Sequence, residues 1–224
     1  MLPKNKEYKA IIFDLDGTLY DNRKVKKSFL LTRFIFSSYL WKLEKARQQA
    51  HIKSQPISHF SSSDNTLPHF SEHPYYQQLA VALDKSNPAK AHHWYEKVFY
   101  PTFVNALKPQ WVFPKMVECL SYWKKQGIRL AVLSDYHFIG ERLSRLQIPI
   151  DLFERLHSAE QSGVLKPDPW AFQQLIQDIG VKKEEVLIVG DREDKDGEAA
   201  RAMGVDFFRI HSAQDWDSLY NKLS

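Results

Sequence analysis

The chain has 224 residues, which suffices for one large domain or for a core with a smaller inserted unit. Hydrophobic residues make up 43% and charged residues 26%, a balance that argues against a disordered chain, and a net charge of +4 is too small to indicate binding to nucleic acid or a membrane surface. Cys119 is the single cysteine, which excludes an internal disulfide and a CxxC metal site. Because the most apolar stretch, residues 29–43, carries charges and the N-terminus lacks the apolar run of a signal peptide, we expect a soluble, cytoplasmic protein.

Short apolar segments predict strands that are buried on both faces, as in a parallel sheet. Three segments are clear, at residues 10–13, 128–133 and 186–189, and two weaker candidates lie at residues 153–158 and 206–211. Apolar residues at helical spacing occur between and after these segments, over residues 115–126, 169–179, 198–203 and 213–223. This alternation predicts an α/β fold, a Rossmann-like parallel sheet with helices on both faces.

Residues 21–110 break the alternation, since they contain no convincing strand. Helical patterns at residues 28–49, 75–85 and 89–106 predict an α-helical unit over 21–110, inserted into a core formed by residues 1–20 and 111–224. The aromatic residues of the insert are predicted to form its own core: Phe29, Phe34, Phe36, Tyr39, Trp41, Trp94, Tyr95 and Phe99. Its polar stretch, residues 51–73, contains irregularly spaced histidines that are predicted to lie in a solvated loop rather than a metal site: His51, His59, His69 and His73.

Polar residues follow each of the three clear strands. Asp14 and Asp16 follow the first strand, Ser134 the second and Asp191 the third, while Lys166 stands just before a predicted helix. The carboxyl ends of parallel strands meet at one edge of a sheet, so we expect these side chains to share one crevice. Clustered carboxylates repel one another unless a cation neutralises them, and an oxygen-rich site suits Mg²⁺.

Such a set of residues matches the chemistry of phosphoryl transfer. A carboxylate can attack phosphorus to form an aspartyl phosphate, provided that a divalent cation and a lysine offset the repulsion between the two anions. A second carboxyl group can protonate the leaving oxygen and then deprotonate a water molecule for the second half of the reaction. The residue types therefore predict a phosphoryl-transfer site.

Four motifs in chain order resemble those of a known family: Ile12-Phe13-Asp14-Leu15-Asp16-Gly17-Thr18-Leu19, Val132-Leu133-Ser134-Asp135, Leu165-Lys166-Pro167-Asp168, and Val189-Gly190-Asp191 followed by Asp196-Gly197. The chain resembles the haloacid dehalogenase (HAD) superfamily hydrolases, in their phosphatase branch with a helical cap after the first strand. The resemblance implies a Mg²⁺-dependent phosphomonoester hydrolase that acts on a small phosphorylated metabolite through an aspartyl-phosphate intermediate.

The resemblance also implies roles for the acidic residues. Asp14 would be the nucleophile and a metal ligand, and Asp16 the general acid and base, with its backbone carbonyl on the metal. Asp191 would bind Mg²⁺ directly, whereas Asp196 would support the metal site from behind its ligands.

Ser134 and Lys166 are the remaining catalytic residues that the resemblance implies. Ser134 would hydrogen-bond the transferring phosphoryl group, and Lys166 would balance charge on that group and on Asp14. Asp135 departs from the family, which commonly has Asn there, and we expect it to turn away from the phosphate and to cap the helix that starts near Phe138.

Two other functions remain open at this point. Phosphoglucomutase-like transfer uses the same two carboxylates, and a non-catalytic, receiver-like module that senses phosphate also has an acidic Mg²⁺ site. Dehalogenation is disfavoured, because displacing a halide needs no acid such as Asp16. The sequence does not identify the substrate, although four residues are candidates to contact it: Tyr20, Arg23, Lys24 and His137. No nucleic acid or membrane partner is expected, and the oligomeric state stays open.

Overall fold

The computed structural model describes residues 2–3, 6–25, 39–53 and 73–224. Five parallel strands form one sheet in the order β3-β2-β1-β4-β5. The strands are β1 (Ala10–Phe13), β2 (Arg129–Ser134), β3 (Arg155–Ser158), β4 (Val186–Gly190) and β5 (Asp206–Arg209). Every residue of β1 and β4 is buried, as the continuous apolar segments predict.

The described ranges 39–53 and 73–106, which follow β1 in the chain, contain four α-helices. They are α1 (Tyr39–Lys53), α2 (Pro74–Leu83), α3 (Pro88–Trp94) and α4 (Tyr100–Ala106), and a π-helical turn over Tyr95–Phe99 joins the last two. Residues 22–25 are helical as well. Helix α1 packs on α2, and α2 packs on α3. The helical nature of the insert agrees with the sequence, while the first part of the predicted helix, residues 28–38, lies outside the described residues.

The remaining helices surround the sheet: α5 (Met116–Lys125), α6 (Ile139–Arg145), α7 (Ala159–Ser162), α8 (Trp170–Ile179), α9 (Glu198–Met203) and α10 (Ala213–Leu223). Right-handed crossovers in this strand order place α5 and α6 on one face and α8 and α9 on the other. Helix α10 packs on α5, where Trp123 and Trp216 stack with Phe13 of β1. The fold is therefore the predicted Rossmann-like sheet with helices on both faces and added helices after the first strand.

Local sequence signals set several helix ends. Helix α8 buries its apolar face and ends at Gly180, which adopts a left-handed φ of +72°. Helix α10 begins with a capping box in which Ser212 and Asp215 bond each other's backbone N–H groups. Within the described ranges, no helix is both long enough and apolar enough to span a membrane.

The aromatic prediction for the insert is right for most of its described members and wrong for one. Tyr39, Trp94, Tyr95 and Phe99 are buried, whereas Trp41 is 76% exposed. Tyr39 and Trp41 are two residues apart in α1 and therefore point to different sides of the helix, so only one of them can face the neighbouring helices. The other three members, Phe29, Phe34 and Phe36, lie outside the described residues.

The prediction of a solvated histidine loop is wrong for the two histidines that the structure describes. His73 is buried, and its Nδ1 accepts the backbone N–H of Tyr75 at 3.2 Å, which caps the start of α2. His51 belongs to α1, and its Nδ1 accepts the backbone N–H of Leu165 at 2.9 Å. The other two, His59 and His69, lie outside the described part of the chain.

Candidate active site

Asp14 and Lys166 form the centre of the crevice at the carboxyl ends of the strands. Asp14 follows β1 directly, and Lys166 lies in the segment between α7 and α8. The Lys166 Nζ lies 2.5 Å from Asp14 Oδ1 and 2.7 Å from Asp196 Oδ1. Thr18 Oγ1 donates a hydrogen bond of 2.9 Å to the other oxygen of Asp14. All four residues are buried, so these ion pairs act in a region of low dielectric constant.

A trio of carboxylates meets beside this lysine. Asp14, Asp191 and Asp196 each offer an oxygen atom, and the three atoms lie within 4.8 Å of one another. Two glycines allow this approach, since a Cβ on Gly17 would stand 2.2 Å from Asp191 Oδ2 and one on Gly190 would stand 2.4 Å from Asp196 Oδ2. Gly17 also needs its freedom of backbone conformation, because its φ is +103°.

The electrostatics of the trio fit a divalent cation. Burial raises the pKa of Asp14 well above its ordinary value, Lys166 opposes that rise, and the charges of Asp196 and Asp191 add to it. Burial and the neighbouring Asp196 also raise the pKa of Asp191 to about 6. Three carboxylates facing one lysine leave an excess of negative charge, and their hard oxygen donors are those that Mg²⁺ prefers. The donor set therefore fits the implied metal.

Two residues stand in other positions than the sequence led us to expect for the metal ligands. Asp196, expected to support the metal from behind its ligands, stands beside Asp14 and Asp191 in the trio itself. The backbone carbonyl of Asp16, expected on the metal, accepts a hydrogen bond of 2.8 Å from the Asn22 side chain. Which of these oxygens bind a cation stays a prediction.

Asp16 lies close enough to Asp14 and Asp191 for its charge to raise the pKa of both, and it has its own set of hydrogen bonds. Its Oδ1 accepts a hydrogen bond from the Tyr20 hydroxyl. Its Oδ2 lies 2.7 Å from Arg142 Nη2 and accepts a bond of 3.1 Å from Ser134 Oγ. The structure thus brings Ser134 next to Asp16, while Lys166 stands with Asp14. The two predicted groups of catalytic residues meet at one edge of the sheet, as the parallel topology requires.

Arg142 is the residue of this crevice that the sequence reasoning missed. It is fully buried in α6, although Glu141, Ser144 and Arg145 lie close to it in sequence and give this segment the composition of an exposed helix. One signal was available, since Arg142 shares a helical face with Ile139, Leu143 and Leu146, all of them buried. An arginine on an apolar helix face needs a partner, and the nearest acidic partner is Asp16.

The prediction that Asp135 caps α6 is wrong, and whether it turns away from a bound phosphate stays a prediction. Its carboxylate accepts the backbone N–H of Lys166 at 3.0 Å and pairs with Lys195 Nζ at 2.7 Å. Burial by itself would raise the pKa of Asp135, but Lys166, Lys195 and Arg47 together lower it to about 2. Helix α6 instead starts after Phe138, which has a φ of +55° and provides no side-chain cap. Asp135 thus pairs with a cation that is distant in sequence instead of capping the neighbouring helix.

The candidate substrate contacts divide into two kinds. Tyr20 and His137 are buried, and the Tyr20 hydroxyl is engaged with Asp16. Arg23 and Lys24 are exposed, and the Arg23 guanidinium pairs with Asp21 at 2.8 Å. Contact of any of them with a substrate stays a prediction.

Comparison with known proteins identifies the family. The sequence model of the haloacid dehalogenase-like hydrolases matches residues 8–204, so the chain belongs to that family. It is 27% identical over 218 residues to a glyceraldehyde 3-phosphate phosphatase of Methanopyrus kandleri, covering 93% of this chain and 86% of the relative. It is 31% identical over 96 residues to a phosphoglycolate phosphatase of Pseudomonas putida, covering 42% of this chain and 35% of the relative.

The fold extends to an enzyme of different chemistry. The crystal structure of a 2-haloacid dehalogenase from Pseudomonas syringae superposes with a TM-score of 0.59 at 18% identity, covering 97% of this chain and all of that one. At such low identity the likeness shows the shared fold. The family match and the phosphatase relatives confirm the prediction of a HAD-like phosphatase.

Proposed function

We propose that this protein is a Mg²⁺-dependent phosphomonoesterase that acts on a small phosphorylated metabolite through an aspartyl phosphate on Asp14. One observation carries the proposal: Asp14 contacts Lys166 and shares a carboxylate trio with Asp191 and Asp196, while a separate carboxylate, Asp16, faces the same crevice. This arrangement supports the roles of nucleophile for Asp14, charge balance for Lys166, cation binding for the trio and general acid for Asp16.

The reaction proceeds in two displacements at phosphorus. Asp14 attacks and forms a bond from its carboxylate oxygen to phosphorus, while the bond to the leaving oxygen breaks and Asp16 gives that oxygen a proton. Asp16 then takes a proton from water, which attacks the same phosphorus and releases Asp14 and inorganic phosphate. Lys166 balances charge on Asp14 and the phosphoryl oxygens, and Ser134 bonds those oxygens. Mg²⁺, when bound by the carboxylate trio, offsets the repulsion between the anionic nucleophile and the anionic substrate.

Asp16 separates this proposal from dehalogenation, which the shared fold leaves open. A halide leaves as a stable anion, whereas the alkoxide oxygen of a phosphate ester needs a proton. The carboxylate of Asp16 is held by Tyr20, Ser134 and Arg142 at the edge of the crevice, where such a proton donor belongs. This arrangement favours a phosphate ester as the substrate.

The names of the relatives indicate where to look for the substrate. Glyceraldehyde 3-phosphate and phosphoglycolate are both short phosphorylated carbon chains. We infer that small metabolites of this kind are the first candidates, with sugar phosphates and nucleoside monophosphates as alternatives within the same assay. A cytoplasmic location accords with such metabolites and stays a prediction.

Phosphate release in the presence of Mg²⁺ tests the proposal. We expect wild-type protein and the surface variant Asp178→Asn to turn over at least one substrate of such a panel, and Asp14→Asn to lose at least about 1,000-fold of that activity. Chelation should abolish turnover, and added Mg²⁺ should restore it. Equal activity in Asp14→Asn would contradict the mechanism.

Two outcomes of the same assay would select the alternative functions. Isomerised product without free phosphate would indicate a phosphoglucomutase-like transferase. A stoichiometric, long-lived phosphoprotein without turnover would indicate a receiver-like module.

A further inference from the structure

Arg142 is the most deeply buried cation near the acid Asp16. Its side chain has no exposed surface, although a guanidinium is costly to remove from water. Its Nη2 lies 2.7 Å from Asp16 Oδ2 and 3.0 Å from Ser134 Oγ. Its Nη1 donates to the same Ser134 oxygen and to the backbone carbonyls of Tyr136 and His137, each at 3.2 Å. The guanidinium therefore connects the proposed acid to the loop after β2.

These bonds leave Asp16 anchored at both carboxylate oxygens. Oδ2 accepts hydrogen bonds from Arg142 and Ser134. Among the side chains that the structure describes, Tyr20 alone donates a hydrogen bond to Oδ1. A carboxylate oxygen can accept two hydrogen bonds, so Oδ1 keeps capacity for the proton that is exchanged with the substrate. Arg142 and Tyr20 bind opposite oxygens and thereby fix the plane of the carboxylate.

Arg142 also contacts the helices of the insert. The centre of its guanidinium lies 5.3 Å from the ring of Phe103 in α4, within the range of a cation–π interaction. Phe103 packs in turn against the ring of Tyr136, whose backbone carbonyl accepts Arg142. The same guanidinium thus touches an aromatic side of the insert and the acid of the core.

We infer that Arg142 is a positioning residue, which holds the carboxylate of Asp16 in the orientation needed to protonate the leaving oxygen. The inference rests on the proposed function, since it gives Asp16 its role in phosphate-ester cleavage. A structural ion pair alone would need no contact with Ser134, the residue expected to bind the phosphoryl group. Arg142 acts through Asp16 and Ser134.

Leaving groups of different basicity test this role. p-Nitrophenolate leaves without a proton, whereas the alkoxide of glycerol phosphate needs one, and kcat/KM reports the first displacement, in which the leaving group departs. For Arg142→Gln we expect kcat/KM to fall about 100-fold with glycerol phosphate and less than about 10-fold with p-nitrophenyl phosphate. Arg142→Lys, which keeps the charge, should recover part of the loss with glycerol phosphate. The exposed Arg145→Gln, on the same helix, should match the wild type.

Asp16→Asn supplies the reference that separates the two proposals. It should show the same selective loss with glycerol phosphate, and Asp16→Asn/Arg142→Gln should lose little more than Asp16→Asn, because both changes remove one function. If Asp16→Asn is selective and the Arg142 variants lose both substrates equally or lose neither, the positioning role is wrong and the proposed function stands. If wild-type protein cleaves neither these two esters nor any other phosphate ester of the panel, the proposed function fails and the role of Arg142 fails with it.

Folding is followed in the same variants by circular dichroism and thermal unfolding. Should Arg142→Gln not fold, Arg142→Lys decides the question by the ratio of its two kcat/KM values. A ratio equal to that of the wild type, combined with lowered activity, would show that Arg142 is structural only.

Discussion

At the scale of single residues, burial decides the charge state of the side chains in and around the crevice. Asp14, Lys166 and Asp196 are all buried, so each charge depends on its neighbours rather than on water. The pKa of Lys166 is therefore well above its ordinary value: burial lowers it, but Asp14 and Asp196 raise it more. A raised pKa keeps the lysine a cation near neutral pH, which suits it to balance charge rather than to exchange protons.

His157, in β3, shows the opposite effect of burial and predicts acid sensitivity. Burial lowers its pKa from 6.5 to about 4, and within the described part of the chain its Nε2 has no hydrogen-bond partner. In the unfolded chain His157 therefore takes up a proton below pH 6.5, whereas in the folded chain it takes one up only at about pH 4. The stabilisation is complete above pH 6.5 and is lost progressively between these two values, by about 3 kcal/mol in total.

Urea unfolding at a series of pH values measures this loss. Between pH 6.5 and pH 4 the free energy of unfolding of His157→Leu should decrease less steeply than that of the wild type. The difference in slope should correspond to the uptake of about one proton on unfolding. The exposed His93→Gln, in α3, should keep the wild-type slope. Parallel curves for wild type and His157→Leu would refute the assignment.

At the scale of elements, one buried carboxylate joins the inserted helices to the core. Glu160 lies in α7, directly after β3, and has no exposed surface. It pairs with Arg47 of α1 at 2.9 Å and accepts the hydroxyl of Tyr95 at 2.6 Å and that of Tyr100. Tyr75 and Tyr76 of α2 complete the cluster at 3.5 and 3.4 Å. Three helices and the π-helical turn of the insert therefore meet on a single side chain of the core.

Arg47 also reaches the loop that follows Ser134. Its Nη2 donates a hydrogen bond of 2.8 Å to the backbone carbonyl of Asp135, and its guanidinium lies 3.8 Å from the centre of the Tyr136 ring. The contact between the insert and the core therefore includes a cluster of buried polar groups. Such groups are expensive to leave without partners, which makes this interface sensitive to single substitutions.

Removing Arg47 should expose that sensitivity. Arg47→Met leaves Glu160 buried without its cation, and we expect a loss of about 3–5 kcal/mol in the free energy of unfolding. Adding Glu160→Gln removes the uncompensated charge and should recover part of the loss. Urea denaturation measures both values, with the exposed Lys45→Met of α1 as the control. A double variant no more stable than Arg47→Met would contradict the pairing.

At the scale of the whole molecule, the sheet holds acidic groups together that would separate if the chain unfolded. Asp14 and Asp191 follow neighbouring parallel strands, β1 and β4, and are 177 residues apart in sequence. Folding therefore concentrates negative charge at one point, and a cation bound there stabilises the folded state by mass action.

Mg²⁺ should accordingly raise the melting temperature. At a concentration about one hundred times its dissociation constant we expect an increase of about 5–10 °C for a chain of this size. Asp191→Asn should lose most of the increase, and Asp178→Asn should retain it. Thermal unfolding followed by circular dichroism checks this without any substrate. An unchanged increase in Asp191→Asn would remove Asp191 from the predicted ligand set.

The sequence by itself determined the elements and the positions of the acidic residues along them. Apolar segments of four to six residues can be buried on both faces only as strands of a covered sheet, so β1, β2 and β4 were readable locally. The carboxyl ends of parallel strands always meet, and this brought Asp14, Ser134 and Asp191 to one edge in the prediction before any distance was known.

Only the tertiary structure decided which charges pair. Arg142 and Asp16 are 126 residues apart, Arg47 and Glu160 are 113 apart, and Asp135 and Lys195 are 60 apart. Local patterns favoured a helix cap for Asp135 and a solvated loop for His51 and His73, because turns and caps are the partners that neighbouring residues can supply. In the folded chain these side chains found partners from distant segments, since a buried polar group must be satisfied by whatever the packing brings within reach.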